Sequence, residues 1–593
     1  MFMGQTCMPA RRRSCMMRRS LWTTLVLALS VAAYGLGPVQ PAQAASGDCT
    51  HFVDTEAASD GNGSAVSPWK GLIGRVDGVP PGSVICVRGD TAGSGRMANL
   101  GSVVLKTAGT ANAPITLQPY PGEKVIWYSS TANQLIKFDG AAYWIVDGFT
   151  LENGNRGWRA VQFEDGAHHN ILRNNEIRNG HVDGVAVVRG SPDNVIANNL
   201  IHHFANPDTS QDAHCIVVQP DADRTQILSN TIHDCSGDGI QLINADPITI
   251  AEYPDGVQII GNVIYRGTLS RAENALDIKA ARNLQVLRNT LSGYFDDAAV
   301  VVHYGSQSVL FDSNRVFDSA RGFSIQPKLD KKISNLTLRN NLIYNLSDYA
   351  IQIAGVESGV VIHNTIFAAQ QQSIAFVGKG LVGGVIANNL VVASGQAYVS
   401  SQAPFSQVAI GTNGWFNTSV VSRLSAASDL VSSGSPGFLN AAAGDFRLSP
   451  GSPARNFGAD YGVRTDFEGE PRPVGCRPDL GADETRKLCL TAVPHDASIR
   501  LTWNHPGDGS LASYSLTYTS NGQGADAQEG ASPLNAIPAN VQSLTLTGLT
   551  NYVFYTFSLT ARDGSHATLY VSPSVAAMPT DRFVFIPLVQ RNP

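Results

Sequence analysis

The chain has 593 residues and a formal net charge of −6; 15% of its residues are charged and 43% are hydrophobic. This acidic balance argues against non-specific binding to nucleic acid, which depends on neutralising phosphates with lysine and arginine. It also means that an acidic polysaccharide needs a cation or a local basic cleft in order to bind.

Residues 1–44 have the layout of a secretory signal peptide. Five arginines precede an apolar run from Leu21 to Gly37, and Ala42 and Ala44 mark a small-residue cleavage site. The run is short for a membrane span of roughly 20 residues, and no later stretch qualifies. Removing the five arginines changes the formal net charge to −6 − 5 = −11. We therefore expect a secreted, monomeric protein without a membrane span, free in the medium or attached to the cell surface.

Six cysteines follow the signal segment, and an even number in an exported chain favours disulfides. Six cysteines allow fifteen pairings. Proximity in the sequence favours Cys49–Cys86, Cys215–Cys235 and Cys476–Cys489. No CxxC motif or Cys/His cluster indicates zinc.

A short phrase of the type NNLI or SNTI returns nine times with spacings of 23 to 32 residues. Such a period is typical of a solenoid, in which each repeat buries its apolar face by stacking on its neighbours. The returning position is an asparagine in every repeat, and we expect its amide to bond to the asparagine one coil away. The nine asparagines are Asn175, Asn199, Asn230, Asn262, Asn289, Asn314, Asn341, Asn364 and Asn389.

Each asparagine is followed by a segment in which apolar residues alternate, as in Gly-Asp-Gly-Ile-Gln-Leu-Ile from residue 237. A period of two predicts strands with one face inward. This pattern resembles a right-handed parallel β-helix. We place that domain, with its caps, at 45–486: the ladder spans 144–395, fades after Asn389, and is followed by a closing segment over 396–486.

The last part of the chain changes to short alternating strands. Residues 487–581 resemble a fibronectin type III β-sandwich, with Trp503 as the core tryptophan and Tyr555 as the corner tyrosine. Residues 582–593 form an apolar tail that is too short to span a membrane. The fold class is therefore all-β, a solenoid followed by a sandwich.

Polar residues concentrate on the outer positions of the middle coils. Coils stack about 4.8 Å apart, so residues at matching positions of successive coils should form one patch the size of a sugar. His202, His203 and His233 lie at or next to turns and are expected to be structural. The predicted patch contains Asp238, Asn274, Asp277, Lys279, His303 and Arg321, with His214 one coil before it; Gln241 and Gln326 are further outward polar residues of the middle coils.

The segment ENALDIKAARN followed by VVHYGSQSV is similar to the active-site coils of alginate lyases and chondroitinase-B-like lyases. That resemblance implies Lys279 as the catalytic base and His303, where the family has arginine, as acid or electrophile. It also implies Ca²⁺ bound by Asp238, Asn274 and Asp277, although Asn274 stands where the family has glutamate. Asp277 would oppose a neutral amine on Lys279.

The implied function is β-elimination on a uronic-acid-containing polysaccharide, with Arg321 as a carboxylate clamp and Gln241, Gln326 and His214 as further substrate contacts. Two other functions stay open. One is a glycoside hydrolase using Asp238 and Asp277 as paired carboxylates. The other is a non-catalytic glycan-binding or surface protein. Epimerisation, which shares the removal of the C5 proton, is a variant of the β-elimination reaction.

Overall fold

A computed structural model describes residues 49–91, 94–130, 134–242, 249–269, 271–328, 331–485, 488–506, 509–520, 534–572 and 574–581. The predicted signal peptide and apolar tail lie outside these residues. Within them the secondary structure is β-strand with three short 3₁₀ helices, at Ile250–Glu252, Ser422–Leu424 and Ala441–Ala443. None of these helices has the length and apolar character needed to cross a membrane.

The larger part of the chain is a parallel β-solenoid with three sheets, confirming the predicted fold class. Each complete coil contributes one strand to each sheet, and the coils at the two ends contribute fewer. The first sheet contains His51–Val53, Val84–Val87, Ile115–Pro119, Trp144–Asp147, Ile171–Arg173, Val195–Ala197, Gln226–Leu228, Gln258–Ile260, Gln285–Leu287, Gln307–Asp312, Ile333–Arg339, Val356–Ile362, Leu381–Ala387 and Phe405–Ile410.

The second sheet follows the first in each coil after a short turn. It contains Arg96–Asn99, Val125–Tyr128, Thr150–Arg156, Glu176–Gly180, Leu200–Phe204, Thr231–Cys235, Val263–Tyr265, Thr290–Ser292, Arg315–Ser319, Leu342–Leu346, Thr365–Ala369, Leu390–Val392, Gly414–Phe416 and Leu430–Ser432.

The third sheet carries the predicted functional residues. It contains Val103–Leu105, Ile136–Asp139, Val161–Glu164, Val185–Val187, Ile216–Val218, Ile240–Leu242, Leu276–Ile278, Ala298–Val302, Arg321–Ile325, Tyr349–Ile353, Gln372–Phe376 and Gln396–Val399. The register pairs Gln241 with Asp277 and Asp277 with Val301, so equivalent positions stack directly above one another.

The turn between the first and second sheets is built by the repeated phrase. Its first polar residue adopts a left-handed backbone, with φ of 56° at Asn174 and 54° at Ser229. Asparagine and glycine tolerate this conformation better than most residues. Its second residue, the repeated asparagine, is buried and bonds to its neighbour, as in Asn289 Nδ2 to Asn314 Oδ1 at 3.0 Å. The predicted ladder is therefore present.

The ladder continues one coil beyond the point where the repeats fade in the sequence. Asn389 Nδ2 donates to Asn413 Oδ1 at 3.0 Å, and the Asn413 backbone N–H donates to Asp429 Oδ1 at 2.8 Å. The spacing to Asn413 is normal, but the phrase around it reads TNGW, which lacks the usual aliphatic residue. An aspartate thus ends the ladder.

The interior of the solenoid is one continuous apolar cluster from Val53 to Leu424. After the last coil, the paired strands Phe438–Asn440 and Asp445–Leu448 and the segment up to residue 485 pack on the outer face of the second sheet. Arg472 and Glu484 are fully buried there and form an ion pair at 3.2 Å. This closing segment covers apolar residues that would otherwise face water.

The C-terminal domain is an antiparallel sandwich. Trp503 and Tyr514 pack edge to face with ring centroids 5.6 Å apart, and the backbone N–H of Thr550 donates to the Tyr555 hydroxyl at 3.0 Å. These are the core tryptophan and corner tyrosine of the predicted module. One sheet contains Leu490–His495, Ser498–Trp503 and Ser543–Thr547; the other contains Leu534–Pro538, Leu511–Ser520, Tyr555–Asp563, Thr568–Val571 and Val575–Ala577.

Three disulfides join the same cysteine pairs that sequence proximity favours. Cys49–Cys86 links the first two strands of the first sheet, and Cys215–Cys235 lies inside the solenoid. Cys476–Cys489 joins the closing segment to the start of the sandwich. The side chain of Asn504 also donates to the Val474 carbonyl across the same junction.

Candidate active site

Asp277 is the centre of the candidate site. It points outward from the third sheet, yet neighbouring side chains leave it only 6% exposed. Lys279 Nζ lies 3.6 Å from Asp277 Oδ2, and His303 Nε2 lies 4.0 Å from Asp277 Oδ1. Gln241 Nε2 approaches the same carboxylate to 3.4 Å. The structure therefore brings four of the predicted residues together.

His303 is held in one orientation by the next coil. Its Nδ1 lies 2.9 Å from the carbonyl oxygen of Gln326, which can only accept a hydrogen bond. Nδ1 therefore carries the proton in the neutral ring, and Nε2 keeps its lone pair toward Asp277. Burial, with the nearby charges of Lys328 and Lys279, lowers the pKa of His303 to about 4. The ring is neutral at physiological pH.

The pKa of the Asp277 carboxyl is shifted upward, in the opposite direction to that of His303. Burial, followed by repulsion from the Asp238 carboxylate, raises the pKa of Asp277 to about 7, against the attraction of Lys279. Its Oδ1 is buried and accepts no hydrogen bond. An unpartnered oxygen of this kind is costly in a structural residue, and such groups cluster at functional sites.

Asp238, Asn274 and His214 belong to a different arrangement, a buried polar column at the edge of the third sheet. The backbone N–H of Asp238 donates to His214 Nδ1 at 2.8 Å. The backbone N–H of Asn274 donates to Asp238 Oδ1 at 3.1 Å, and Asn274 Nδ2 donates to the Ala298 carbonyl at 2.6 Å. Each side chain thus satisfies backbone on the next coil, which is a structural task. Gln241 connects this column to the site, because its Nε2 also donates to Asp238 Oδ2 at 2.7 Å.

Arg321 and Gln326 lie on the neighbouring coil with other partners. Arg321 Nε lies 3.0 Å from Asp348 Oδ2 and its Nη1 lies 3.3 Å from Asp297 Oδ1. The Gln326 side chain donates to Ser324 Oγ at 2.7 Å. Its contact with the site is made by its backbone carbonyl, which accepts from His303 Nδ1. The structure does not bring the Arg321 guanidinium to Lys279 or His303 by any described contact.

Sequence reasoning missed Lys328. This exposed lysine follows the strand Arg321–Ile325, and its charge acts on both Asp277 and His303. Its Nζ lies 5.6 Å from the centroid of the Tyr304 ring, a cation–π distance. No repeat position marks this residue, because it lies in a loop after the last aligned position. Its only signal is Pro-Lys directly after a strand of the candidate coils.

The predicted calcium ligands offer few free oxygens. Calcium takes six to eight oxygen ligands. Both Asp238 oxygens already accept hydrogen bonds, and that side chain is 0% exposed. Asp277 Oδ1 is the one oxygen of the predicted set whose lone pairs are demonstrably open. This donor set does not fit a calcium site as arranged, so calcium stays a prediction from the sequence and no step below uses it.

Comparison with known proteins agrees with this architecture. Residues 130–253 and 214–391 match the family model of the right-handed β-helix region, and residues 489–574 match the fibronectin type III domain. The fold is thus a right-handed β-helix followed by a C-terminal fibronectin type III domain. No curated protein matches this chain as a relative.

Several solved structures resemble the fold at low identity. Pectate lyase Pel9A is 14% identical with a TM-score of 0.39, covering 74% of this chain and 98% of its own. An alginate lyase from Paenibacillus sp. str. FPU-7 is 17% identical with a TM-score of 0.33, covering 56% and 94%. A GH136 lacto-N-biosidase from Eubacterium ramulus is 13% identical with a TM-score of 0.33, covering 64% and 67%. These similarities concern the fold alone and carry no argument about activity.

Proposed function

We propose that this right-handed β-helix protein is a secreted polysaccharide lyase that cleaves a uronic-acid-containing polysaccharide by β-elimination. The observation that carries the proposal is the convergence of Lys279 and His303 on the buried Asp277, at the outer face of the third sheet. The three disulfides support an oxidising, extracytoplasmic location. A monomeric state remains a prediction.

The reaction needs a cation and a base. The C5 proton of a uronate becomes acidic only when the charge of the C6 carboxylate is neutralised, which also stabilises the enolate formed on proton removal. Lys279 supplies an ammonium group at the site, and Lys328 supplies a second one nearby. A base must then take the C5 proton, and the C4–O bond breaks as the C4–C5 double bond forms. The leaving glycosidic oxygen gains a proton, returned by the protonated base or supplied by water.

The geometry favours His303 as that base, the reverse of the roles that the resemblance implies. Its neutral ring leaves a lone pair on Nε2, because Nδ1 donates to the Gln326 carbonyl. Lys279 Nζ lies 3.6 Å from Asp277 Oδ2, and its ammonium group suits electrophilic binding of the uronate carboxylate. Asp277 positions both groups. This arrangement needs no metal to complete the proton transfer.

The hydrolase alternative finds less support. A hydrolase needs two carboxyl groups that both reach the substrate or its attacking water. Asp238 is fully buried and its oxygens are occupied by Gln241 and Asn274, so it cannot serve with Asp277 in that way. A binding protein without catalysis remains an outcome of the experiment.

The test is incubation of the purified protein with alginate, pectate, chondroitin sulfate and dermatan sulfate, each with and without a chelator. We expect ultraviolet-absorbing unsaturated uronate from at least one polymer, and loss of this product in Lys279→Ala and His303→Gln. Matched controls are Lys332→Ala, a lysine that precedes the first-sheet strand Ile333–Arg339 and pairs with Glu357, and His566→Asn in the sandwich.

The possible products separate the functions. Reducing ends without ultraviolet absorbance would mean hydrolysis, and retention of polymer without any product would mean binding only. Either result would overturn the lyase proposal. Full activity of Lys279→Ala or His303→Gln would mean that the protein is a lyase whose active site lies elsewhere.

A further inference from the structure

A cluster of histidines lies on the outer face of the second sheet, apart from the third-sheet site. The register pairs His202 with His233 on successive coils. The residues that follow them, His203 and Asp234, both adopt a left-handed backbone with φ of 59° and 54°. The dipeptide His-His of one coil is therefore stacked on the dipeptide His-Asp of the next. Three of these side chains, His203, His233 and Asp234, place metal-binding atoms close together.

The three imidazole rings are mutually in contact. The ring centroids of His202 and His203 lie 4.7 Å apart, those of His202 and His233 lie 5.0 Å apart, and those of His203 and His233 lie 5.9 Å apart. The Nδ1 atoms of His202 and His203 face each other at 2.5 Å. One ligand atom from each of His203, His233 and Asp234 falls within 4.8 Å of the others. Small movements of these side chains bring their donors around a single ion.

Carboxylates orient two of these rings. Glu176 Oε1 lies 3.4 Å from His202 Nε2, so it can hold a proton there and leave Nδ1 with its lone pair. Asp234 Oδ2 lies 2.6 Å from His233 Nδ1. Carboxylate-oriented histidine is the usual arrangement around a protein-bound metal. The other oxygen of Asp234 is fixed by Thr268 and Leu269, whose backbone N–H groups both donate to it.

The surroundings are rigid on one side and open on the other. Cys235, the residue after Asp234, is disulfide-bonded to Cys215. The side chains of His202 and His233 are largely buried, whereas His203 is exposed. An ion can therefore enter from solvent past His203 and reach donors that the fold already holds.

We propose that His203, His233 and Asp234, with His202 beside them, form a site for one Zn²⁺ ion that ties two neighbouring coils together. Two imidazole nitrogens and one carboxylate oxygen leave the fourth tetrahedral position of zinc to a water molecule. Calcium and magnesium prefer oxygen ligands, so the imidazole donors favour a first-row transition metal, and tetrahedral coordination by nitrogen and oxygen is typical of zinc. The site is independent of the proposed lyase reaction and would stand if that proposal failed.

The experiment is calorimetric titration of the tag-free, chelator-dialysed protein with ZnCl₂, with metal content measured after gel filtration. Two variants remove ligands: His203→Asn, which keeps a residue suited to the left-handed backbone, and His233→Gln. We expect each to lose one bound zinc per chain, or to bind it roughly 100-fold more weakly. Co²⁺ titration should give a visible tetrahedral spectrum in the wild type that both variants lack.

The matched control is His169→Asn. His168 and His169 also form an adjacent pair, with Nδ1 atoms 2.8 Å apart and φ of 56° at His169, but they lie at the turn before the first sheet. This variant should bind zinc like the wild type. Circular dichroism of the metal-free variants establishes that they are folded. Absence of saturable zinc binding in the wild type, or unchanged stoichiometry and affinity in both ligand variants, would overturn the proposal.

Discussion

Two stacks of polar side chains run along this solenoid, and they differ in how completely they are hydrogen-bonded. The asparagine ladder repeats one residue type, and Asn314 is representative: its Nδ2 donates to the Val286 carbonyl at 2.8 Å and to Asn341 Oδ1 at 3.0 Å. Its own Oδ1 accepts from Asn289. Its amide is thus hydrogen-bonded both to the asparagines of the adjacent coils and to backbone.

The cluster on the third sheet is chemically mixed. It places a carboxyl group, an ammonium group and an imidazole at adjacent positions, and Asp277 Oδ1 has no hydrogen-bond partner. Burial of a polar group without a partner costs roughly 1–3 kcal/mol, so such a group contributes nothing to stability. The difference separates a polar stack that holds the fold from one that is available to a substrate.

The sharpest way to test this contrast is to change a member of the mixed cluster. We expect His303→Gln to lower lyase activity about 10³- to 10⁴-fold, because the proposed base is removed, which is roughly 4–5 kcal/mol of barrier. The midpoint of thermal unfolding should shift little, because glutamine retains a donor for the Gln326 carbonyl. The measurement is the initial rate of unsaturated product formation. A large loss of stability with unchanged activity would mean that His303 stabilises the fold, as the ladder asparagines do, and takes no part in catalysis.

A ladder residue should behave in the opposite way. Asn289 accepts two hydrogen bonds from Asn262 and donates one each to the Ile259 carbonyl and to Asn314. We expect Asn289→Ala to lower the free energy of unfolding by roughly 4 kcal/mol, at about 1 kcal/mol for each buried bond lost. Urea unfolding followed by circular dichroism measures this change.

The control for the ladder is Asn99→Ala, an exposed asparagine whose amide bonds to Ser130. It should change stability by less than about 0.5 kcal/mol. An equally small effect of Asn289→Ala would mean that stacking of the aliphatic interior alone maintains the coils.

The free energy of unfolding should depend on pH through Asp277, which no ladder asparagine can cause because its amide does not titrate. Its pKa is about 7 in the folded chain and 3.8 ordinarily, so ionisation favours unfolding. The stability that the neutral carboxyl contributes is complete below about pH 4 and is lost as the pH rises through about 7. We expect Asp277→Asn to be more stable than the wild type above pH 7, by on the order of 4 kcal/mol, and to lose this advantage toward pH 4.

Urea unfolding at several pH values measures this difference, with the exposed Asp77→Asn as the control. A pH-independent effect of Asp277→Asn would mean that its carboxyl is not perturbed in the folded protein. Lower activity together with higher stability is the combination expected of a functional residue.

Much of the fold follows from the sequence because its determinants are local and repeated. The asparagine phrase specifies both a left-handed turn residue and a ladder residue, and the period-two strands specify which side chains face inward. Asn413 was missed because its surrounding phrase is degenerate, although its amide joins the ladder. Register then places Asp277 beside Gln241 without further information.

The site was predicted only in part, because its contacts depend on depth and on loops. The alternating pattern does not distinguish Asp238, which is buried in the edge column, from Asp277, which is directed at Lys279 and His303. Lys328 lies beyond the repeating positions. The stacking of His202 on His233 required the exact pairing of two coils of unequal length.

Arg321 provides the smallest expected effect. The sequence predicts it as a carboxylate clamp, but its guanidinium is shared between Asp348 and Asp297 and lies over the Tyr349 ring at 5.7 Å. These ion pairs are substantially exposed, and exposed pairs contribute about 1 kcal/mol or less. We expect Arg321→Ala to lower stability by less than about 1 kcal/mol and to change KM by less than about twofold, because its charge is already neutralised. Steady-state kinetics on the polymer that gives product is the measurement. A tenfold rise in KM with unchanged kcat would show that substrate displaces the aspartates, and the cluster around Asp277 would then extend one coil further along the third sheet.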